Sequence, residues 1–175
     1  MYFKKFPKVA VDVYGNGTKI MLTDITKRVR FYDMVRKNNV LLDYYDVKSG
    51  ETPEYIADTY YGDVQLHWVV LLTNNITDVY DQWPMAVEEF EQYVYDKYED
   101  VNATHHWEFY QESGDTTKVI EIPNDSANAI PVDAIEITNY DYEERLQEQR
   151  RRIRLIKPEY IPKIKQELQN RMRGY

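Results

Sequence analysis

Apolar and polar positions alternate from the start of the chain. In "VAVDVYGNGTKIML", Val9, Val11 and Val13 fall on one face, Gly15-Asn16-Gly17 marks a turn, and Ile20 and Leu22 resume the pattern. This predicts an N-terminal β-hairpin. The following "TDITKRVRFYDMVRKNN" fits a short helix and a strand with a loop equally well. Alternation returns at Tyr45 and Val47, and Ser49-Gly50 turns the chain. The period then changes. Thr52 is an N-cap, Pro53 suits the first helical position, and Glu54 complements the helix dipole. Ile56, Ala57 and Tyr60 form an apolar face, and Gly62 ends the helix. Asp63 caps a second helix with Leu66, Val69, Val70 and Thr73 on one side, closed by Asn74-Asn75.

A third helical pattern occupies "DQWPMAVEEFEQYVYDKYED", with Pro84 near its start and Val87, Phe90, Val94 and Tyr98 on one face. Period two resumes in "HHWEFYQESGDTTKVIEIP". Trp107 and Phe109 share a face, Ser113-Gly114-Asp115 turns, and Ile120 and Ile122 return, which predicts a second hairpin. "NDSANAIPVDA" reads as loop and "IEIT" as a strand. Then come a charged helix in "YDYEERLQEQR", a short alternating "RIRLI", and a terminal amphipathic helix carrying Ile161, Ile164, Leu168 and Met172. The pattern is α+β: a compact β-α-α module with flanking hairpins, an additional helix and a C-terminal amphipathic helix. It divides into an N-terminal hairpin and connector (1–44), the module (45–83), an acidic helix with a hairpin (84–142) and a basic tail (143–175).

Composition sharpens this. There is no cysteine, which excludes disulfides and thiolate metal sites. No apolar run approaches the roughly 20 residues that span a bilayer, and "MYFKKFPKVAVDVYG" lacks the apolar core of a signal peptide. The 17 tyrosines outnumber the 9 leucines, a bias that fits either a small aromatic core or protein interfaces. Residues 78–142 carry 16 acidic and 2 basic side chains, whereas 143–175 carry 5 and 10. Acidic middle and basic tail can meet within a chain or between subunits. The overall charge of −8 repels phosphate, so a nucleic-acid partner is not expected.

Candidate chemistry is sparse. Adjacent His105 and His106 on a strand should point to opposite faces and so not share a metal. His67 beside Trp68 reads as a packed or capping histidine. Glu88, Glu89, Glu91, Asp96, Glu99 and Asp100 belong to the outer face of one helix, a solvated arrangement and not a pair of carboxylates facing across a cleft. No nucleophile elbow, phosphate loop or HExxH motif is present. The expectation is no enzyme, no cofactor, no metal and no small-molecule substrate.

Two resemblances follow from quoted residues. "YDVKSGET", Ile56-Ala57, Tyr60, Gly62, Leu66 and Asn74-Asn75-Ile76 resemble the LysM family, a β-α-α-β module that binds N-acetylglucosamine polymers. That resemblance implies a glycan groove between Ser49, Gly50, Glu51 and Thr52 on one side and Asn74, Asn75, Ile76 and Thr77 on the other. The closing strand of the LysM pattern is missing after the second helix, where "VYDQWPM" stands. A longer resemblance runs through "TPEYIADTYYGDVQLHWVVLLTNNITDVYDQWP", "EEFEQYVYDKY", "HHWE" and "EQRRRIRLIKPEYIPKI". In order and spacing these blocks are similar to the LysM-containing baseplate wedge subunits of T-even-like contractile phages. This implies a non-enzymatic virion protein, assembled in the host cytoplasm, that joins neighbouring wedges around the tail hub and contacts other wedge proteins and the sheath-initiating protein. A peptidoglycan-binding protein is the alternative from a different class.

The tail raises its own question. A stripe of Ile161, Ile164, Leu168 and Met172 on an otherwise polar helix has to be buried. It can fold back on the chain's own hairpins. The expectation favoured from sequence is burial against another baseplate chain, with Arg150, Arg151, Arg152 and Arg154 meeting acidic surface.

Overall fold

The computed structural model describes residues 6–26, 40–113, 116–125 and 129–173. The chain divides into two compact units. Unit 1 combines Met1–Trp83 with Arg152–Tyr175, and unit 2 is the intervening Pro84–Arg151. The basic tail expected at 143–175 is therefore split between the two. Charge follows the same division: unit 1 holds 17 basic and 13 acidic side chains, and unit 2 holds 5 and 17.

Unit 1 begins with a hairpin of β1 (Lys8–Val11) and β2 (Ile20–Thr23), in which Val9 faces Leu22 and Val11 faces Ile20. Val13 falls in the connection, where the Asp12 carboxylate accepts the backbone N–H groups of Asn16 and Gly17 at 3.2 and 2.8 Å. Most of the ambiguous stretch after the hairpin, residues 27–39, lies outside the described residues.

The heart of unit 1 is β3 (Leu42–Asp46), α1 (Pro53–Tyr61), a 3-10 turn (Val64–Leu66) and α2 (His67–Asn74). The Thr52 hydroxyl accepts Tyr55 N–H at the start of α1, and Gly62 ends the helix at φ 68°, a left-handed conformation that glycine adopts without a steric penalty. Asp63 caps the 3-10 turn and not an α-helix, so α2 begins only at His67. Asn75, at φ 57°, terminates α2. One further helical turn, α3 (Val79–Gln82), precedes Trp83.

The partner of β3 comes from far along the chain. β7 (Arg152–Ile156) pairs antiparallel with it, from Leu42 opposite Ile156 to Asp46 opposite Arg152. Alternation in "RIRLI" turns Ile153 and Leu155 inward and Arg152 and Arg154 outward. Behind the strands lies a core containing Ile56, Val69, Val70, Leu155 and Ile156, all nearly sealed from solvent. Side chains of this size each stabilise the fold by about 1.5–3 kcal/mol when fully buried. A 3-10 turn (Pro158–Tyr160) leads into α6 (Ile161–Arg173), whose stripe joins the same core.

Unit 2 contains α4 (Val87–Lys97), a three-stranded antiparallel sheet and α5 (Asn139–Arg151). The sheet order is β5-β4-β6, from β4 (Thr104–Ser113), β5 (Thr116–Pro123) and β6 (Ile135–Thr138). Trp107 faces Ile122 and Phe109 faces Ile120, so the second hairpin has the register its alternation predicts. Phe90 and Val94 on α4 are buried, and the Phe90 ring meets Tyr140 of α5 edge-on at 5.7 Å. The carboxylates of α4 at 88, 89, 91 and 96 are exposed, as their helical spacing predicts, whereas Glu99 and Asp100, expected on the same helix, lie beyond its end at Lys97.

Candidate functional site

The two loops singled out from sequence lie in unit 1, at the ends of β3 and α2. In the first, Gly50 takes φ 77° and Glu51 N–H closes a turn onto Lys48 C=O at 3.1 Å. The Glu51 carboxylate accepts the Tyr45 hydroxyl at 2.8 Å and Lys48 N–H at 2.9 Å. Burial, then the hydrogen bond to the Glu51 carboxylate, push the Tyr45 hydroxyl up to about 12. Thr52 is committed to capping α1.

In the second loop, Asn74 turns inward. Its amide donates to Val70 C=O at 2.9 Å and Arg154 C=O at 2.8 Å, and its carbonyl accepts Arg154 N–H at 2.8 Å. Ile76 N–H returns to Leu71 C=O. The N–H groups of Thr77 and Asp78 both converge on the Gln82 side-chain oxygen, at 2.7 and 3.0 Å. Trp83, at the end of α3, reaches the first loop: its buried indole donates Nε1–H to the Glu51 carbonyl at 2.8 Å. Ser49, Gly50, Thr52, Asn75 and Thr77 remain exposed, and Glu51, Asn74 and Ile76 are half-buried.

The tail residues are placed differently from the sequence expectation. Ile161, Leu168 and Met172 are buried in the core of unit 1, and Ile164 packs against that core half-buried. They do not form a free surface for another chain. The physical reason is the β3–β7 pairing, which brings Ile153, Leu155 and Ile156 to the start of the tail and offers the stripe an apolar seat in its own unit. Lys165 adds a long contact to Asp63 at 3.5 Å. The four arginines are divided between the two units. Arg150 and Arg151 end α5 in unit 2, with Arg151 on Glu148 at 2.9 Å. Arg152 and Arg154 lie on the outer face of β7 in unit 1, with Arg152 3.8 Å from Asp46.

Unit 2 holds a buried ionic group that sequence reading misses. Glu143, only 3 % exposed, accepts Lys97 Nζ at 2.7 Å and the Tyr98 hydroxyl at 2.8 Å. The Glu143 hydrogen bond foremost holds Lys97 above the ordinary lysine range. Glu108, also buried, accepts Arg145 at 2.6 Å and the Tyr110 hydroxyl at 3.0 Å. Burial pushes Glu108 up, but these bonds outweigh it and leave the carboxyl below its usual value.

His105 and His106 do not point to opposite faces. Thr104 pairs with Thr138 but His106 with Ile137, so His105 is the extra residue of a β-bulge. The bulge brings both rings to one side, with their Nδ1 atoms 2.9 Å apart. A glutamate followed by a tyrosine two residues later, or two adjacent histidines, carries no period that announces such a cluster. His67 accords better with expectation, half-buried with Nδ1 3.0 Å from Val64 C=O. Among the described residues no group of three or more histidines and carboxylates is placed to hold a metal ion, and no helix is long and apolar enough to cross a membrane.

In both units, polar side chains make internal hydrogen bonds and helix caps. Comparison with known proteins places the chain. Baseplate wedge protein gp53 of Enterobacteria phage T4 is 30% identical over 102 residues, 58% of this chain, and the matched stretch spans about half of that relative (52%). The family model described as base plate wedge protein 53 matches residues 1–154, which takes in all of unit 2 and unit 1 through most of β7. The chain belongs to the base plate wedge protein 53 family.

Proposed function

We propose that the chain is a structural, non-enzymatic subunit of a contractile phage tail baseplate. In this reading it joins neighbouring wedges around the hub, contacts other wedge proteins and the sheath-initiating protein, and is assembled in the host cytoplasm into the virion. The observation that carries the reading is the family match over residues 1–154.

Unit 1 is read as a LysM-like module retained as a rigid docking body. Its order and pairing support this: β3, two helices, and an antiparallel strand, with β7 supplying the closing strand that is missing after α2. Residues 84–151 then stand as an insertion ahead of that strand. The glycan-binding alternative is disfavoured by the inward-turned Asn74 and by the Trp83 indole that occupies the Glu51 carbonyl.

Two assays separate the readings. The purified chain, mixed with the other wedge proteins, is expected to sediment with them in a larger assembly, and to show no saturable binding to purified peptidoglycan. Saturable peptidoglycan binding that disappears in the Thr52→Ala/Asn75→Ala double variant, with no wedge association, overturns the proposal in favour of the glycan reading.

A further inference from the structure

The connection between β1 and β2, residues 12–19, brings together the groups that one covalent reaction needs. The Gly17 N–H donates to Asp12 Oδ2 at 2.8 Å, so its proton already faces a base within reach. The Thr18 N–H donates to Asn16 Oδ1 at 2.9 Å, which folds the Asn16 carboxamide onto the backbone that follows it and polarises its carbonyl. The Asn16 N–H donates to Asp12 Oδ1 at 3.2 Å, so the carboxylate spans the Asn16-Gly17 peptide. Gly17 has φ 83° and no side chain to shield its nitrogen, and the space where a Cβ would stand is open to 4 Å. Asn16, Gly17 and Thr18 are exposed, so water can reach them and a small product can leave. Asn-Gly also favours two-residue hairpin turns, but this connection is longer, and a tight turn does not account for the pair.

We infer that Asn16-Gly17 is a self-modification site, with the Asp12 carboxylate as base and the Thr18 N–H as oxyanion donor for closure of a succinimide. The Gly17 nitrogen bonds to Asn16 Cγ while its proton passes to Asp12. Negative charge develops on Asn16 Oδ1, where the Thr18 N–H meets it. The bond from Cγ to Nδ2 then breaks, and Nδ2 takes up the proton and leaves as ammonia. Water adds to either carbonyl of the ring and opens it to aspartate or isoaspartate. The sum is asparagine and water giving an aspartyl residue and ammonia, with no oxidant or reductant. The aspartate product sets a second carboxylate beside Asp12. The isoaspartate product lengthens the backbone of the connection by a methylene. Both act against the β1–β2 register, which loop length and turn geometry fix.

The test follows Asn16 in the full chain at neutral pH by peptide mass spectrometry, with chromatography to separate aspartyl from isoaspartyl products. Three samples are compared: folded wild type, wild type unfolded in guanidinium, and Asp12→Asn, which keeps an acceptor for the Gly17 N–H but is not a base. A carboxylate is a weak base for an amide, so the low end of what a positioned base contributes applies, and Asp12→Asn is expected to slow the folded reaction by about 100-fold. Folded wild type is expected to react faster than the unfolded chain and to depend less steeply on pH, because the unfolded chain relies on hydroxide. If Asp12→Asn reacts as fast as wild type, the assignment is overturned. The same holds if the folded chain reacts no faster than the unfolded one. That second comparison decides the matter even where the variant loses the hairpin.

Discussion

The side chain of Asn74 pairs with both backbone groups of Arg154, accepting its N–H and donating to its C=O, each at 2.8 Å. In an antiparallel ladder, alternate residues turn both groups away from the partner strand. At Arg154, opposite Tyr44, the carboxamide of Asn74 occupies the place of a third strand. It also ties the end of α2 to a strand eighty positions away in sequence.

Replacing Asn74 therefore acts on both elements. Asn74→Ala leaves two backbone groups unmatched and is expected to cost about 1–3 kcal/mol. Asn74→Asp keeps the acceptor but sets a carboxylate oxygen against the Arg154 and Val70 carbonyls, and is expected to cost more than alanine. Urea unfolding followed by circular dichroism reads both. Equal stability of the aspartate variant and wild type contradicts the assigned geometry.

The tail helix is expected to behave as core. Leu168→Ala removes a nearly sealed side chain from unit 1 and should cost about 2–5 kcal/mol. Lys163, exposed on the same helix, should tolerate alanine within about 0.5 kcal/mol. Matching losses at both positions would show that the stripe is not seated in unit 1.

Alkaline pH offers a separate check on the first loop. The Tyr45 hydroxyl is raised from 10.0 to about 12 by burial and by the Glu51 carboxylate. A group with a raised folded pKa contributes stability that is full below its unfolded value and is lost as pH rises through its folded value. The window here runs from 10.0 to about 12. Across it, wild type should lose more stability than Tyr45→Phe, measured by thermal unfolding at stepped pH. Parallel loss in both proteins contradicts the role of this hydroxyl.

How much of this was legible follows from how local each signal is. The cap at Thr52, the glycine stop at Gly62 and the asparagine end at Asn75 act within one helical turn, and they fall where the pattern put them. The second hairpin was readable because Trp107, Phe109, Ile120 and Ile122 are cross-strand neighbours within one short segment. The destination of Ile161, Leu168 and Met172 was not readable. A stripe says that burial is needed, but its seat depends on β3 pairing with β7 across all of unit 2. The facing of His105 and His106 was misread because a bulge adds one residue and breaks the period of two.

The inserted character of unit 2 gives another prediction. The core of unit 1 draws its residues from both sides of the insertion and none from within it. A chain in which a flexible Gly/Ser linker of about eight residues joins Trp83 to Arg152 should keep the β3–β7 pairing, seen in NMR as a retained long-range Hα–Hα contact between Tyr44 and Arg154. A collapsed spectrum would show that unit 1 does not hold together without its insertion.

The central claim is a place in the baseplate. A density map of the intact phage particle tests it most directly. The account predicts density matching the β3–β7 ladder with α1, α2 and α6 in the baseplate, at the junctions between neighbouring wedges around the hub. Finding that body elsewhere in the particle, or a complete baseplate in particles made without this chain, contradicts it.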